Sequence, residues 1–153
     1  MKKTNQTQTD KNLQAAFAGE SMANRKYLYF AKQAKRLGNL EIAKLFEDTA
    51  NQETAHAFSH LELIYPPNEL NVAKLLEIAI EGELYETNQM YPGFEKTAKL
   101  EGNLEAAIEF VEQAKESKEH ASIFAQAAKR FNSLAKVEKL HADRYQKALN
   151  NLH

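Results

Sequence analysis

The chain has 153 residues, of which 43% are hydrophobic and 27% are charged, and its formal net charge is −1. This length suits one domain with a real core, and the charge gives no electrostatic case for binding nucleic acid or an anionic membrane. The chain has no cysteine, which excludes disulfides, thiol catalysis and cysteine-held iron centres within it. No apolar run approaches about 18 residues and no signal-peptide pattern is present, so we expect a cytoplasmic protein that does not enter membranes.

The hydrophobic periodicity predicts an all-α fold, because apolar residues recur at helical spacing and no stretch alternates as a strand would. Three pairs of turn-forming residues, Gly38-Asn39, Pro66-Pro67 and Gly102-Asn103, separate four long helices. Residues 1–9 are expected to be a flexible tail, and residues 10–153 a single domain. The first predicted helix begins at Thr9 or Asp10, the second covers residues 40–65 and the third begins at Asn71. The fourth covers residues 104–131. After a break at Asn132-Ser133, a short C-terminal helix covers residues 135–149.

Charged residues interrupt the apolar faces of the first three predicted helices. Glu20 lies on the first. Glu53 and His56, three residues apart and therefore on one side of a helix, lie on the second. Glu83 and Glu86 lie on the third. A buried carboxylate is costly unless something pairs with it, and a metal ion would do so, since carboxylates and Glu-x-x-His pairs are the usual ligands of di-iron sites in helical bundles. The alternative for any one of these residues is a solvated charge or an internal salt bridge.

The chain contains an internal repeat. Residues 35–41 are similar to residues 99–105, and His56 has a counterpart 64 residues further on, at His120. Two similar helical hairpins that face each other would make an antiparallel four-helix bundle. Each hairpin would then bring carboxylates to the midline, which is the geometry that a two-metal site needs.

The offset of the repeat changes within the third helix. Glu20 corresponds to Glu83 at an offset of 63 residues, whereas the offset elsewhere is 64. One extra residue in a continuous helix is typical of a π-bulge. We therefore predict a π-bulge between Glu86 and Tyr91.

The ligands from the fourth helix are ambiguous. A regular α-helix puts Ser117 and His120 at the positions that correspond to the Glu-x-x-His pair of the second helix. Glu116 lies about 100° away from that line, and a π-bulge would rotate it inward. We favour Glu116 with Glu119 or His120 as the ligands from this helix.

A second candidate pair lies further along the chain. Glu138 and His141 form another Glu-x-x-His on an apolar stripe. If the predicted break at Asn132-Ser133 is real, this pair belongs to the short C-terminal helix, outside the main bundle. It then lies too far along the bundle axis to reach the level of the other carboxylates. It remains the alternative source of ligands.

The expected donor set favours a particular class of metal. Oxygen-rich ligation with one or two imidazoles suits iron or manganese better than a metal that prefers thiolates. Bridging carboxylates would hold two such ions about 3.5–4 Å apart. Tyr27 and Tyr91 lie about two turns from the carboxylates, or a little less, so a phenol there could hydrogen-bond a ligand carboxylate or a bound peroxide.

Four segments of the chain resemble the di-iron domain of the rubrerythrin family. The resemblance covers nearly the whole chain, and its spacing is specific. It implies a ferritin-like four-helix bundle with a non-haem di-iron site that reduces hydrogen peroxide to water. The segments are residues 17–27, 50–57, 81–86 and 90–94.

The resemblance also implies roles for individual residues. Glu20 and Glu83 match terminal carboxylate ligands, and Glu53 matches a carboxylate that bridges the irons. His56 and Glu86 match residues that exchange as ligands of one iron when its redox state changes. Tyr27 and Tyr91 match tyrosines that lie around the ligands.

The chain departs from the family pattern because it has no C-terminal rubredoxin segment with four cysteines. It is more similar to the short, rubredoxin-free members, sulerythrin and symerythrin, so the resemblance implies an external electron donor such as a rubredoxin. The expected function is a di-iron peroxidase in defence against oxidative stress. The alternatives are an oxygen-activating or ferroxidase protein of the same fold, or a metal-free helical module. We also expect a homodimer, with helix exchange between subunits as one form of it.

Overall fold

The structure is a computed structural model that describes residues 7–150, apart from the side chain of Ala148. Within these residues all regular structure is helical, so the predicted all-α class is confirmed. The chain divides after Leu70 into two compact units. The elements are α1 (Gln8–Arg36), α2 (Leu40–Ile64), a 3₁₀ turn (Pro67–Glu69), α3 (Val72–Tyr85), a π-helix (Glu86–Met90), α4 (Tyr91–Leu100) and α5 (Leu104–Asn150).

The first unit is a hairpin of α1 and α2. Its turn closes at Gly38, whose φ of 81° is a left-handed value that glycine adopts without steric cost. Asn39 then begins α2, because its side chain accepts a hydrogen bond from the backbone N–H of Ile42 at 3.0 Å. Residues buried on α2 are Ala43, Ala50 and Ala57, at intervals of seven residues. Such small side chains on one line let the two helices approach closely.

The second unit repeats this construction. Gly102 has a φ of 77°, and the side chain of Asn103 accepts a hydrogen bond from the backbone N–H of Ala106 at 3.2 Å. Ala107 and Ala121 of α5 are buried, and each lies 64 residues after a buried alanine of α2. The repeat predicted from the sequence is therefore present in both hairpins.

The third predicted helix is divided by a π-helix over Glu86–Met90, which confirms the predicted bulge. The cause is partly Pro92, near the start of α4, which has no N–H to donate to the carbonyl of residue 88. The wider turn takes up the one residue by which the second repeat exceeds the first. Glu86 is its first residue and Tyr91 follows its last.

The predicted break at Asn132-Ser133, and with it the separate C-terminal helix over residues 135–149, is wrong. Helix α5 continues from Leu104 to Asn150 without interruption. Residues 104–150 contain neither glycine nor proline, and asparagine and serine each cost a helix only about 0.5 kcal/mol relative to alanine. The hydroxyl of Ser133 also donates to the carbonyl of Lys129 at 2.9 Å, so the serine is satisfied inside the helix.

The first helix begins at Gln8, one or two residues earlier than predicted. Thr7 is its N-cap, and Thr7 and Asp10 form a capping box with reciprocal hydrogen bonds of 2.8 and 3.1 Å. Of the predicted tail, residues 8 and 9 are helical and residues 1–6 lie outside the described part. No helix in residues 7–150 is long and apolar enough to cross a membrane.

The role of Gly38 in the first hairpin turn can be tested against a glycine inside a helix, because alanine should have opposite effects on stability at the two positions. The substitution Gly38→Ala should lower the free energy of unfolding by about 1–2 kcal/mol, because a Cβ is strained at a left-handed φ. The control Gly19→Ala lies inside α1, where an added Cβ meets nothing within 4 Å, and should raise it by about 0.5–1 kcal/mol. Urea unfolding followed by circular dichroism measures both. Equal effects of the two substitutions would contradict this account of the turn.

Candidate metal centre

In the first unit, α1 and α2 bring Glu20, Glu53 and His56 together. One ligand atom from each of these side chains lies within 4.8 Å of those of the other two. Nδ1 of His56 is 3.0 Å from Oε2 of Glu53 and 3.7 Å from Oε2 of Glu20. The carboxylates are half-buried and the imidazole is exposed. Three of the predicted ligands therefore form one cluster of two carboxylates and an imidazole.

The pKa of Glu53 lies below its ordinary value. The largest cause is its hydrogen bond with the Glu20 side chain, and the next is its hydrogen bond with His56. Hydrogen bonds to the charged form favour that form. Glu53 is therefore ionised at neutral pH, which is the state that can bind a cation.

Asn24 fixes the register of the two helices around this cluster. Its side-chain amide donates to the backbone carbonyl of Ala50 at 2.7 Å and to the hydroxyl of Thr54 at 2.9 Å. Asn24 lies one turn after Glu20, and Thr54 directly follows Glu53, so these two bonds hold the carboxylates opposite each other. Sequence reasoning did not single out Asn24 as a site residue. The available signal was a polar amide on the same stripe as Glu20.

In the second unit, the corresponding groups are Glu83, Glu86, Ser117 and His120. Nδ1 of His120 is 3.5 Å from Oε1 of Glu83. The hydroxyl of Ser117 donates to Oε2 of Glu86 at 2.8 Å, and Ser117 itself is only 5% exposed. Oε2 of Glu83 is buried and has no hydrogen-bond partner in the described part of the chain. A buried carboxylate oxygen without a partner is costly, and a cation beside it would remove that cost.

The remaining candidate ligands are four further residues of α5. Glu116 and Glu119 are exposed, and no π-turn of α5 rotates Glu116 inward. Glu138 and His141 are also exposed, and within residues 7–150 no hydrogen bond or ion pair joins either to another candidate ligand. Their binding of metal stays a prediction. The regular-helix alternative, with Ser117 and His120 as the counterparts of Glu53 and His56, is the arrangement observed along α5.

Each unit also has an aromatic cluster next to its acidic groups. In the first, the ring of Tyr27 is stacked 6.0 Å from that of Phe46, and in the second the ring of Tyr91 is 6.2 Å from that of Phe110. Burial, followed by the charges of Glu86 and Glu83, raises the pKa of Tyr91 above its ordinary value. Tyr91 therefore keeps its proton at neutral pH and is available as a hydrogen-bond donor. Among the described residues, neither phenol makes the predicted hydrogen bond with a carboxylate.

The sequence profile of the rubrerythrin family matches residues 11–128 of this chain. The chain belongs to the rubrerythrin family. It is similar to a rubrerythrin from Porphyromonas gingivalis, with 40% identity over 74% of this chain and 62% of the relative. It is similar to rubrerythrin-1 from Clostridium acetobutylicum, with 31% identity over 99% of this chain and 75% of the relative. A solved structure of fully reduced, all-ferrous nigerythrin has 34% identity over 85% of this chain and 70% of that one, with a TM-score of 0.42.

Membership of the rubrerythrin family supports a di-iron protein, because the family implies iron. The chain spans less than two thirds of the length of the Porphyromonas relative. The residues of both units fit iron, because they offer carboxylates, imidazoles and one buried carboxylate oxygen without a partner among the described residues. The comparisons give no support to manganese.

The hydrogen bonds of Asn24 can be tested by their removal. The substitution Asn24→Ala should lower the free energy of unfolding by roughly 1–2 kcal/mol, because it removes the two hydrogen bonds that Asn24 donates, to the carbonyl of the fully buried Ala50 and to the hydroxyl of Thr54. Asn12→Ala is the matched control, since Asn12 makes only an exposed hydrogen bond inside α1. Urea denaturation measures both variants. A control that loses as much stability as Asn24→Ala would contradict the role of Asn24.

The raised pKa of Tyr91 has a consequence for stability at high pH. A tyrosine whose pKa is higher in the folded protein contributes stability below its ordinary pKa of about 10, and this contribution is lost as pH rises through the folded value. Tyr91→Phe should therefore reduce the fall in unfolding free energy above pH 10. In a titration that follows tyrosinate by its ultraviolet absorption, the variant should also lack the ionisation that occurs at the raised pKa of Tyr91. An unchanged titration curve would contradict the assignment.

Proposed function

We propose that this chain is a non-haem di-iron peroxidase, which reduces hydrogen peroxide to water with electrons from an external donor in defence against oxidative stress. The observation that carries the proposal is the cluster of Glu20, Glu53 and His56, with its ligand atoms within 4.8 Å of one another. A carboxylate and imidazole cluster in a rubrerythrin-family chain suits redox-active iron. Reduction of one peroxide to two waters consumes two electrons and two protons.

We propose that the iron ligands are Glu20, Glu53 and His56 of the first unit with Glu83 and Glu86 of the second. When bound, two iron ions supply electrons and charge stabilisation to the reaction. The proposed set also needs ligands from α5, for which the chain offers more than one candidate pair. Glu116 with Glu119 is the pair favoured by the sequence, and His120 and the pair Glu138 and His141 are the alternates.

The protein groups around the ligands have separate tasks in this proposal. Glu53, whose pKa is lowered, stays ionised, and its negative charge would bind a metal cation. Tyr91, whose pKa is raised, keeps its proton beside Glu83 and Glu86 and can donate a hydrogen bond to a polar substrate. Tyr27, which packs on Phe46 in the first unit, is proposed for the same task.

Several wider predictions accompany this function. The electron donor is proposed to be a separate redox protein such as a rubredoxin, because these 153 residues contain no cysteine that could hold such a centre. A homodimer, with or without exchanged helices, and a location in the cytoplasm stay predictions. Analytical ultracentrifugation of the purified chain would test the first of them.

The reaction is tested by stopped-flow oxidation of the iron-loaded, reduced protein. We expect hydrogen peroxide to oxidise it at least about tenfold faster than dioxygen does, since a peroxidase selects its oxidant by differential stabilisation of that transition state. Rapid oxidation by dioxygen without preference for peroxide would favour the oxygen-activating or ferroxidase alternative. Glu53→Gln should lose iron and activity together, whereas Glu41→Gln, an exposed position on the same helix, should keep both. Absence of iron from the wild-type protein after anaerobic loading would contradict the proposal.

A further inference from the structure

We infer that Ser117 and Glu86 together replace, in the second unit, the carboxylate that Glu53 supplies in the first, with Ser117 as the positioning residue that orients Glu86. The inference rests on the proposed function, since it concerns how the second unit presents a carboxylate to a metal ion. It assigns to Ser117 a role in metal affinity.

The first step is the equivalence of positions on α2 and α5. The buried alanines of the two helices are related by an offset of 64 residues. The same offset relates Phe46, which packs on Tyr27, to Phe110, which packs on Tyr91, at ring distances of 6.0 and 6.2 Å. At this offset Glu53 corresponds to Ser117. Ser117 therefore occupies the place in its hairpin that a carboxylate occupies in the other.

The histidines show that the two places are also equivalent in geometry. His56 lies 3.7 Å from Glu20, and His120 lies 3.5 Å from Glu83, which are the corresponding pairs of the repeat. Among the candidate ligands of α2 and α5, the hairpins thus differ at the position of Glu53 and Ser117. The first hairpin has a carboxylate there, 3.0 Å from its histidine. The second has a short hydroxyl side chain.

The second step concerns the source of the replacement carboxylate. Glu86 has no acidic counterpart in the first unit, because position 23 at the offset of 63 residues is alanine. Glu86 is the first residue of the π-helix, and its Oε2 accepts the hydrogen bond of Ser117 at 2.8 Å. The short side chain of Ser117 leaves space that the longer Glu86 enters from the opposite helix. The carboxylate is present in both hairpins, but it comes from different helices.

The third step concerns what the hydroxyl does. Ser117 is 5% exposed, so its donor is removed from competing water and its hydrogen bond fixes one oxygen of Glu86. The other oxygen of Glu86 stays available to a cation. Groups that orient a ligand carboxylate in this way typically change metal affinity by about 10–100-fold when they are removed.

The test is calorimetric titration of the full-length apoprotein with cobalt(II) under anaerobic conditions, together with the visible absorption spectrum of the bound cobalt. Ser117→Ala should weaken the binding of one cobalt ion by about 10–100-fold and alter its spectrum, because Glu86 loses its restraint. Ser117→Thr retains the hydroxyl and should stay within about threefold of the wild type. Ser122→Ala, at an exposed position on the same helix, is the matched control and should bind as the wild type does.

A second pair of variants tests the replacement itself. Glu86→Ala should lower the amount of cobalt bound, and the double variant Ser117→Glu with Glu86→Ala should recover it, because the carboxylate then comes from α5 as it comes from α2 in the first unit. Failure to recover cobalt in a double variant of wild-type helicity would overturn the equivalence.

The outcomes separate this inference from the proposed function. If the wild type binds two cobalt ions and Ser117→Ala binds them with unchanged affinity and spectrum, the role of Ser117 is wrong while the di-metal proposal stands. If the wild type binds no cobalt, the proposed function fails and this inference fails with it.

Discussion

Each hairpin depends on a helix–helix contact that only small side chains permit. Ala43 and Ala50 of α2 are completely buried, and their spacing of seven residues keeps them on one line along the helix. In α5, Ala107 and Ala121 are 3% and 5% exposed on the equivalent line. Backbones that approach this closely allow a side chain of one helix to reach a partner on the other. The contacts of the candidate ligands within each hairpin follow from that approach.

The acidic groups show how the chain accommodates charge on an otherwise apolar face. In the first unit the imidazole of His56 lies beside both carboxylates, and Asn24 holds the register of the two helices. In the second unit one oxygen of Glu83 has no partner in the described part of the chain. A cation bound beside these groups would recover the free energy that placing carboxylates at such positions costs.

Much of the fold was predictable because its signals are local or periodic. The turns at Gly38 and Gly102 need left-handed backbone, and the π-helix follows from counting one extra residue in the second repeat. The continuity of α5 through Asn132-Ser133 was not predictable in this way, because these residues favour turns but cost a helix only about 0.5 kcal/mol each relative to alanine, which the rest of α5 outweighs.

The candidate site was predictable where residue type and spacing agree, as for Glu53 and His56, which meet across one helical turn. It was less predictable where a contact joins two helices. The bond between Ser117 and Glu86 depends on the rotation of two helices about their axes, and a pattern of residue types does not give that rotation to within one residue. Sequence reasoning accordingly looked for an acidic side chain on α5 and considered Glu116, which is exposed.

The π-helix at Glu86–Met90 also bears on the symmetry between the two halves of this chain. One extra residue in a helix moves every later side chain by about 100° around the axis unless a wider turn absorbs it. Because the wider turn absorbs it here, Tyr91 still meets Phe110 as Tyr27 meets Phe46. Glu86 lies before the extra residue, at a position where the first half has Ala23. A symmetric protein made from two copies of the first hairpin would thus lack Glu86 and carry Glu53 twice. It would have the same number of these carboxylates, four, but they would be distributed differently between the helices.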